Sequence, residues 1–184
     1  MPTPIRTHRS CTSLRSVLLG CLLLPLAACE TTSTMQVSAP PPGGVVALRV
    51  QPCVDRTGTK DRDLGAEATE AFTKALSRSR DFRVDPGARY AMSCDVSGFA
   101  EGSALKRWVM PGWGATVGRV AAMIVDSDSA TTLLIVQGNA AVKGGGLYTL
   151  GAESYILGTA VDDAVRQMSE WARGRAAASE KGSS

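Results

Sequence analysis

Residues 1–16 carry Arg6, Arg9 and Arg15 and no acidic residue, and residues 17–28 then form an apolar run broken only by Gly20 and Pro25. Positive charge followed by a short apolar stretch is the order of a secretory signal. The run is too short for a permanent span, because crossing about 30 Å of hydrocarbon takes about 20 apolar residues as a helix. Residues 1–28 are therefore expected to be cut away. Any fold must be built from residues 29–184.

The run ends in Leu26-Ala27-Ala28-Cys29, small residues with a cysteine directly after them. This resembles the lipobox of bacterial lipoproteins. The resemblance implies cleavage before Cys29, a diacylglycerol on its sulfur, and an acyl chain such as palmitate on its new amino group. Stable membrane attachment takes at least two anchoring signals, and a fully acylated Cys29 exceeds that without any protein contact. In the sorting rule for such lipoproteins an Asp after the cysteine favours inner-membrane retention, whereas here the residue is Glu30. The expected location is the outer membrane, lipid-anchored on the periplasmic face. Cys11 and Cys21 lie in the discarded part.

Charge then excludes several classes of partner. Taking three arginines from the 20 Lys and Arg of the chain leaves 17, matched by 17 Asp and Glu. A formally neutral mature chain has no electrostatic case for nucleic acid or for strong binding to anionic lipid. The single histidine, His8, also belongs to the signal. Without imidazole the mature chain cannot build a Ser-His-Asp or Cys-His site, or a zinc site that needs histidine. No metal and no cofactor is expected.

Residues 29–44 are rich in Ser, Thr, Pro and Gly and poor in apolar side chains, so they read as a flexible tether stiffened at Pro40 to Pro42. A single globular domain is expected over residues 45–174, followed by a disordered tail at residues 175–184. Val45-Val46-Ala47-Leu48-Arg49-Val50 is a β-branched run closed by Pro52. Asp61 or Asp63 can cap a helix in which Leu64, Ala68, Ala71, Phe72, Ala75 and Leu76 recur at three and four.

Phe82-Arg83-Val84 predicts a short strand closed by Asp85-Pro86-Gly87, and Tyr90, Met92, Cys94 and Val96 alternate with polar or small residues as in a strand with one polar face. Two apolar stretches, residues 115–125 and 132–142, flank a turn-forming junction and predict an antiparallel hairpin. Leu157, Val161, Ala164, Val165, Met168 and Trp171 mark a closing helix. The order β-α-β-β-β-β-α predicts an α+β fold, a mixed and mostly antiparallel sheet with two packed helices.

This order, with Phe82-Arg83-Val84, Val96-Ser97-Gly98-Phe99, Lys106-Arg107-Trp108, Pro111-Gly112-Trp113-Gly114 and a strand ending at Val125-Asp126, resembles a proteobacterial lipoprotein family known as domain of unknown function 4410. The likeness covers most of residues 45–173. More distantly, the first half is similar to the periplasmic domain shared by the curli secretion lipoprotein, a flagellar envelope protein and the lipoprotein activator of penicillin-binding proteins. Those relatives dock or assemble and do not catalyse.

Cys53 and Cys94 are the only cysteines left once Cys29 is lipidated. In an oxidising periplasm they can bridge, or they can stay two buried thiols, because sequence alone does not place their Cα atoms within about 7 Å. Trp108 and Trp113 stand beside Lys106 and Arg107 in a Gly- and Pro-containing stretch. These types are enriched at binding hot spots, although tryptophans also cover sheet edges and cores. Gly114, Gly118 and Ala122 stand four apart, as on a membrane helix; Arg119 and Asp126 argue for a close-packed strand instead. Lys143 and the glycines after it lack phosphate-loop order. Asp162 and Asp163 are expected on a solvated helix face.

The expected function is non-enzymatic: an envelope interaction or assembly module that contacts another envelope protein, with oligomerisation open. Subunit of a secretion ring or pore is one alternative. The other is a carboxylate-dependent envelope hydrolase using Asp95, Glu101, Asp126 or Asp128, which requires two of these acids to converge in a pocket.

Overall fold

The structure is a computed structural model that describes residues 34–100, 115–142 and 152–174. Its elements are β1 (Met35–Val37), β2 (Val46–Val50), β3 (Val54–Asp55), α1 (Leu64–Arg78), β4 (Phe82–Val84), β5 (Tyr90–Ala100), β6 (Thr116–Asp126), β7 (Thr131–Val142) and α2 (Ala152–Ala172). With the short β1 and β3 set aside, the order is the β-α-β-β-β-β-α predicted from sequence. The strands form one sheet in the order β1-β7-β6-β5-β2-β4, with β3 also on β5. The long strands β5, β6 and β7 and the short β1 pair antiparallel, whereas β2 and β3 run parallel to β5 and β2 runs parallel to β4. It is an α+β fold with a mixed sheet.

Local chemistry explains the helix start and the hairpin. Asp63 caps α1, its Oδ1 accepting the Ala66 N–H at 2.9 Å, which satisfies one of the donors a helix leaves free at its start. The β6–β7 turn spans residues 127–130, where Ala130 takes φ of 53°, the left-handed conformation a tight reversal requires.

Both helices lie on one face of the sheet. Val46, Leu48, Met92, Cys94, Val96, Val120, Ala122, Ile124, Leu134 and Val136 share a single buried cluster with Leu64, Phe72 and Leu76 of α1 and Ile156, Val161, Met168 and Trp171 of α2. Two glycines let α2 come down onto the hairpin. A Cβ on Gly138 would overlap the Ala160 carbonyl oxygen and stand 2.9 Å from the Ala164 Cβ, and one on Gly118 would stand 3.0 Å from the Ile156 carbonyl oxygen. Gly118 and Ala122 thus sit on a strand packed against a helix, and no described helix is long and apolar enough to cross a membrane.

The expectation of a free tether over residues 29–44 is corrected in part. Met35 to Val37 add β1 to the edge of β7, with Met35 opposite Val136. Gln137 donates its N–H to Thr34 at 2.8 Å, and the Trp171 indole donates to the Ala39 carbonyl at 3.0 Å. Apolar content there is low, but an open sheet edge supplies backbone partners that do not depend on side chains.

A candidate interaction surface

Of the acids singled out for hydrolysis, Asp95 stands apart from Asp126 and Asp128. Tyr90 pairs with Asp126 and Asp95 pairs with Ala121, five residues along the same ladder, so Asp95 and Asp126 are separated by about 16 Å of strand. Asp95 is held by Arg56 at 3.1 Å in an exposed pair. Glu101 lies outside the described residues.

Asp126 and Asp128 instead share Arg89. The guanidinium donates from Nε to Asp126 at 2.7 Å, places a second nitrogen on its other oxygen, and meets Asp128 at 3.0 Å. The hydrogen bond from Arg89 holds the Asp126 carboxyl well below the usual carboxylate range. The Asp128 backbone N–H and the Ser129 hydroxyl add to this, against the opposing effect of burial. A carboxylate held in this way stays ionised at neutral pH and has no proton to donate. Among the described residues no group of three or more His, Cys, Asp or Glu is placed to hold a metal ion.

An open cleft of about 290 Å³ lies between the helices, lined by Glu67, Glu70, Lys74, Arg78 and Asp162. Asp95, Asp126 and Asp128 are not among its lining residues, and its charges are of mixed sign. Asp162 is solvated as expected. Asp163, expected beside it on the same solvated face, has turned to the sheet: it accepts the Asn139 N–H at 3.2 Å, while Gln167 donates to the Gln137 carbonyl at 2.8 Å. Two side chains of α2 thus continue along β7 the row of partners that β1 begins, which blunts this edge against further strand pairing.

The structure joins Cys53 and Cys94 as a disulfide with their Cα atoms 4.6 Å apart. The register explains the closeness. Val50 pairs with Met92 and, after Pro52, Val54 pairs with Asp95, so Cys53 runs beside Cys94 with no strand between them. Cys29, Lys106, Arg107, Trp108, Trp113 and Gly114 lie outside the described residues.

Neither described helix packs on the second face of the sheet. Because side chains alternate along a strand, Ala121, Met123 and Val125 of β6 point away from the side on which Val120, Ala122 and Ile124 meet the helices. Ile135 of β7 lies opposite Met123, and Ala91, Ser93 and Asp95 of β5 lie opposite Val125, Met123 and Ala121. None of Ala121, Met123, Val125, Ile135 and Ala91 belongs to the cluster under the helices; the first four are half-buried and Ala91 is buried. Gly98 and Arg119, paired across β5 and β6, and Gln137 lie on the same face toward one end. The sequence carried a signal for this surface. Val120-Ala121-Ala122-Met123-Ile124-Val125 is apolar without alternation, so both faces of β6 are apolar while helices cover one.

No family model matches the chain, and no curated protein does. Kinship with domain of unknown function 4410 therefore rests on the sequence resemblance alone. Solved structures do match. A PelC dodecamer from Paraburkholderia phytofirmans is 17% identical, with a TM-score of 0.50 over 71% of this chain and 97% of that one. The likeness is one of fold. A single-substitution variant of the same dodecamer, in another crystal form, is 18% identical, with a TM-score of 0.48 over 72% of this chain and 98% of that one. Lipoprotein GNA1162 from Neisseria meningitidis is 14% identical, with a TM-score of 0.40 over 58% and 91%.

Proposed function

We propose that the mature protein is a lipoprotein anchored through Cys29 on the periplasmic face of the outer membrane, and that it works without catalysis, by binding another envelope protein. The observation that carries this reading is the apolar strip Ala121, Met123 and Val125, flanked by Ile135, on the sheet face the helices leave bare. Contiguous apolar surface on a folded domain marks a site of contact, because covering it removes hydrocarbon from water at about 25 cal/mol per Å². Lys106, Arg107, Trp108 and Trp113 are proposed as a second part of the contact, with a tryptophan as anchor.

A second reading has the partner as further copies of the chain, in an assembly such as a secretion ring. The fold is shared with PelC, whose solved form is a dodecamer, and a bare apolar sheet face is the kind of surface that assembly buries.

The test is affinity capture of the lipidated protein from envelopes, run with the parent and with Met123→Glu, alongside sedimentation of each. Met123 is partly exposed, so the substitution is expected to leave thermal unfolding within about 0.5 kcal/mol of the parent while the captured partner is lost. Capture that is unchanged by Met123→Glu overturns the assignment of this face. Recovery of the chain alone, with an oligomer that Met123→Glu dissociates, selects the second reading.

A further inference from the structure

The open cleft between the helices gathers charges that find no partner within the fold. Of the charged side chains described on α1 and α2, Glu67 is paired with Arg62, and Asp163 and Glu170 are paired with Arg166. Glu70, Lys74, Arg78 and Asp162 make no ion pair among the described residues; all four are exposed and all four line the cleft. Glu70 and Lys74 stand four apart, a spacing at which acid and base commonly pair on one helix, and here they do not. The half-buried Ala71, Ala75 and Gly158 also line the cleft, and a Cβ on Gly158 would meet nothing within 4 Å. Small residues between charged ones leave room for the side chains of another helix at a short distance between axes.

Along α1 the charges run acid, acid, base, base. Glu67, Glu70, Lys74 and Arg78 follow one another at spacings of three and four, so they form one stripe on the helix. Glu70 and Lys74 lie equally far before and after Phe72, about 3 Å along the axis, and Glu67 and Arg78 lie about 8 Å to either side. A second copy turned about a twofold axis at the level of Phe72 lays its own α1 antiparallel on this one. Each acid then faces a base: Glu70 meets Lys74 of the second copy, Glu67 meets Arg78 of the second copy, and symmetry makes both pairs twice. A parallel arrangement would set acid on acid and base on base. Asp162 borders the same cleft from α2 and offers the incoming bases another carboxylate.

We propose that this stripe of α1, with the cleft beside it, is the surface on which two copies of the chain pair as a twofold dimer. Charge complementarity selects the occupant: the surface that matches acid, acid, base, base in reverse is the same stripe on a second copy. The contact is held by ion pairs around small side chains, so it is sensitive to salt. The helices lie on the opposite side of the sheet from Met123, so such a dimer leaves the strip around Met123 facing outward in both copies. The dimer is thus separate from the contact proposed for that strip and does not depend on it.

The experiment is sedimentation equilibrium of the full chain in detergent, at low and at high salt, for the parent, Glu70→Lys, Lys74→Glu and an equal mixture of these two variants. Both positions are exposed, and circular dichroism checks that each variant is folded. The expected result is a parent dimer that weakens as salt rises. Each single reversal is expected to weaken it by at least about tenfold, because like charges then face each other twice across the axis. The mixture is expected to recover the dimer, since one variant supplies two acids and the other two bases. A parent that stays monomeric, a dimer that neither reversal weakens, or a mixture that stays as monomeric as its components overturns the proposal. A dimer that Met123→Glu dissociates and the two reversals leave intact also overturns it, and assigns self-association to the sheet face instead.

Discussion

Replacing Gly138 by alanine is the sharpest test of how the hairpin and α2 are held together. A Cβ there would overlap the Ala160 carbonyl oxygen and lie 2.9 Å from both the Cβ and the backbone nitrogen of Ala164, against 3.4 Å or more for ordinary contact. The obstruction is helix backbone, which cannot swing aside as a long side chain would. To make room, α2 must lift by more than half an ångström, and this pulls on the Asp163 and Gln167 contacts to Asn139 and Gln137. Overpacking costs about 1–3 kcal/mol, and weakening one charge-assisted and one neutral hydrogen bond adds about 1–2 kcal/mol. The expected loss is about 3–4 kcal/mol, a large share of the 5–15 kcal/mol that holds a domain together. For a domain of this size that lowers Tm by roughly 10–20 °C. The assay is thermal unfolding by circular dichroism, with Gly158→Ala as its counterpart. A Cβ on Gly158 meets nothing within 4 Å, so that change is expected to raise stability by about 0.5–1 kcal/mol through helix propensity. A Gly138→Ala protein melting within about 2 °C of the parent would refute the reasoning.

The Cys53–Cys94 disulfide closes a loop with a sequence separation of 41, which by loop entropy corresponds to about 4 kcal/mol; reductant should lower Tm accordingly, and alkylation of the unfolded, unreduced domain should label neither cysteine. Asp126 has a folded pKa below its ordinary 3.8, so its contribution is full above 3.8 and is lost as pH falls from there through the lowered folded value. Asp126→Asn should therefore destabilise the protein at neutral pH and flatten the acid limb of the stability profile, and an unchanged limb would remove the Arg89 pair from the explanation. Cys29→Ser is expected to yield a precursor that is unprocessed or unanchored. Recovery of that variant in membranes at the processed size and with lipid label would place the anchor elsewhere.

Much of the fold was legible because it rests on local pattern. The three-and-four recurrence from Leu64 to Leu76 and the alternation of Met92, Cys94 and Val96 each report a face that must be buried, and Leu64, Ala68, Phe72, Leu76, Met92, Cys94 and Val96 are buried, while the exposed Asp63 marks the helix start. The short pieces were not legible. Met35–Val37 is three residues long inside a polar, proline-containing segment, and Val54–Asp55 is two residues long; both exist because a neighbouring strand offers free backbone groups. The helix pattern placed Asp163 in solvent beside Asp162, since nothing local tells that β7 passes within reach of one and not the other.

Residue type and spacing along the chain were enough for the expected secretion signal, for the neutral, histidine-free composition of residues 29–184 that excludes histidine-dependent nucleophilic and zinc sites there, and for the α+β order of the elements. Strand order and register were needed to show that Asp95 and Asp126 are apart and ion-paired, that Cys53 lies beside Cys94, and that both helices cover the same face and leave Met123 and its neighbours bare. The reason is geometric: pairing makes neighbours of residues 41 positions apart, and an extended strand holds residues five apart about 16 Å from each other.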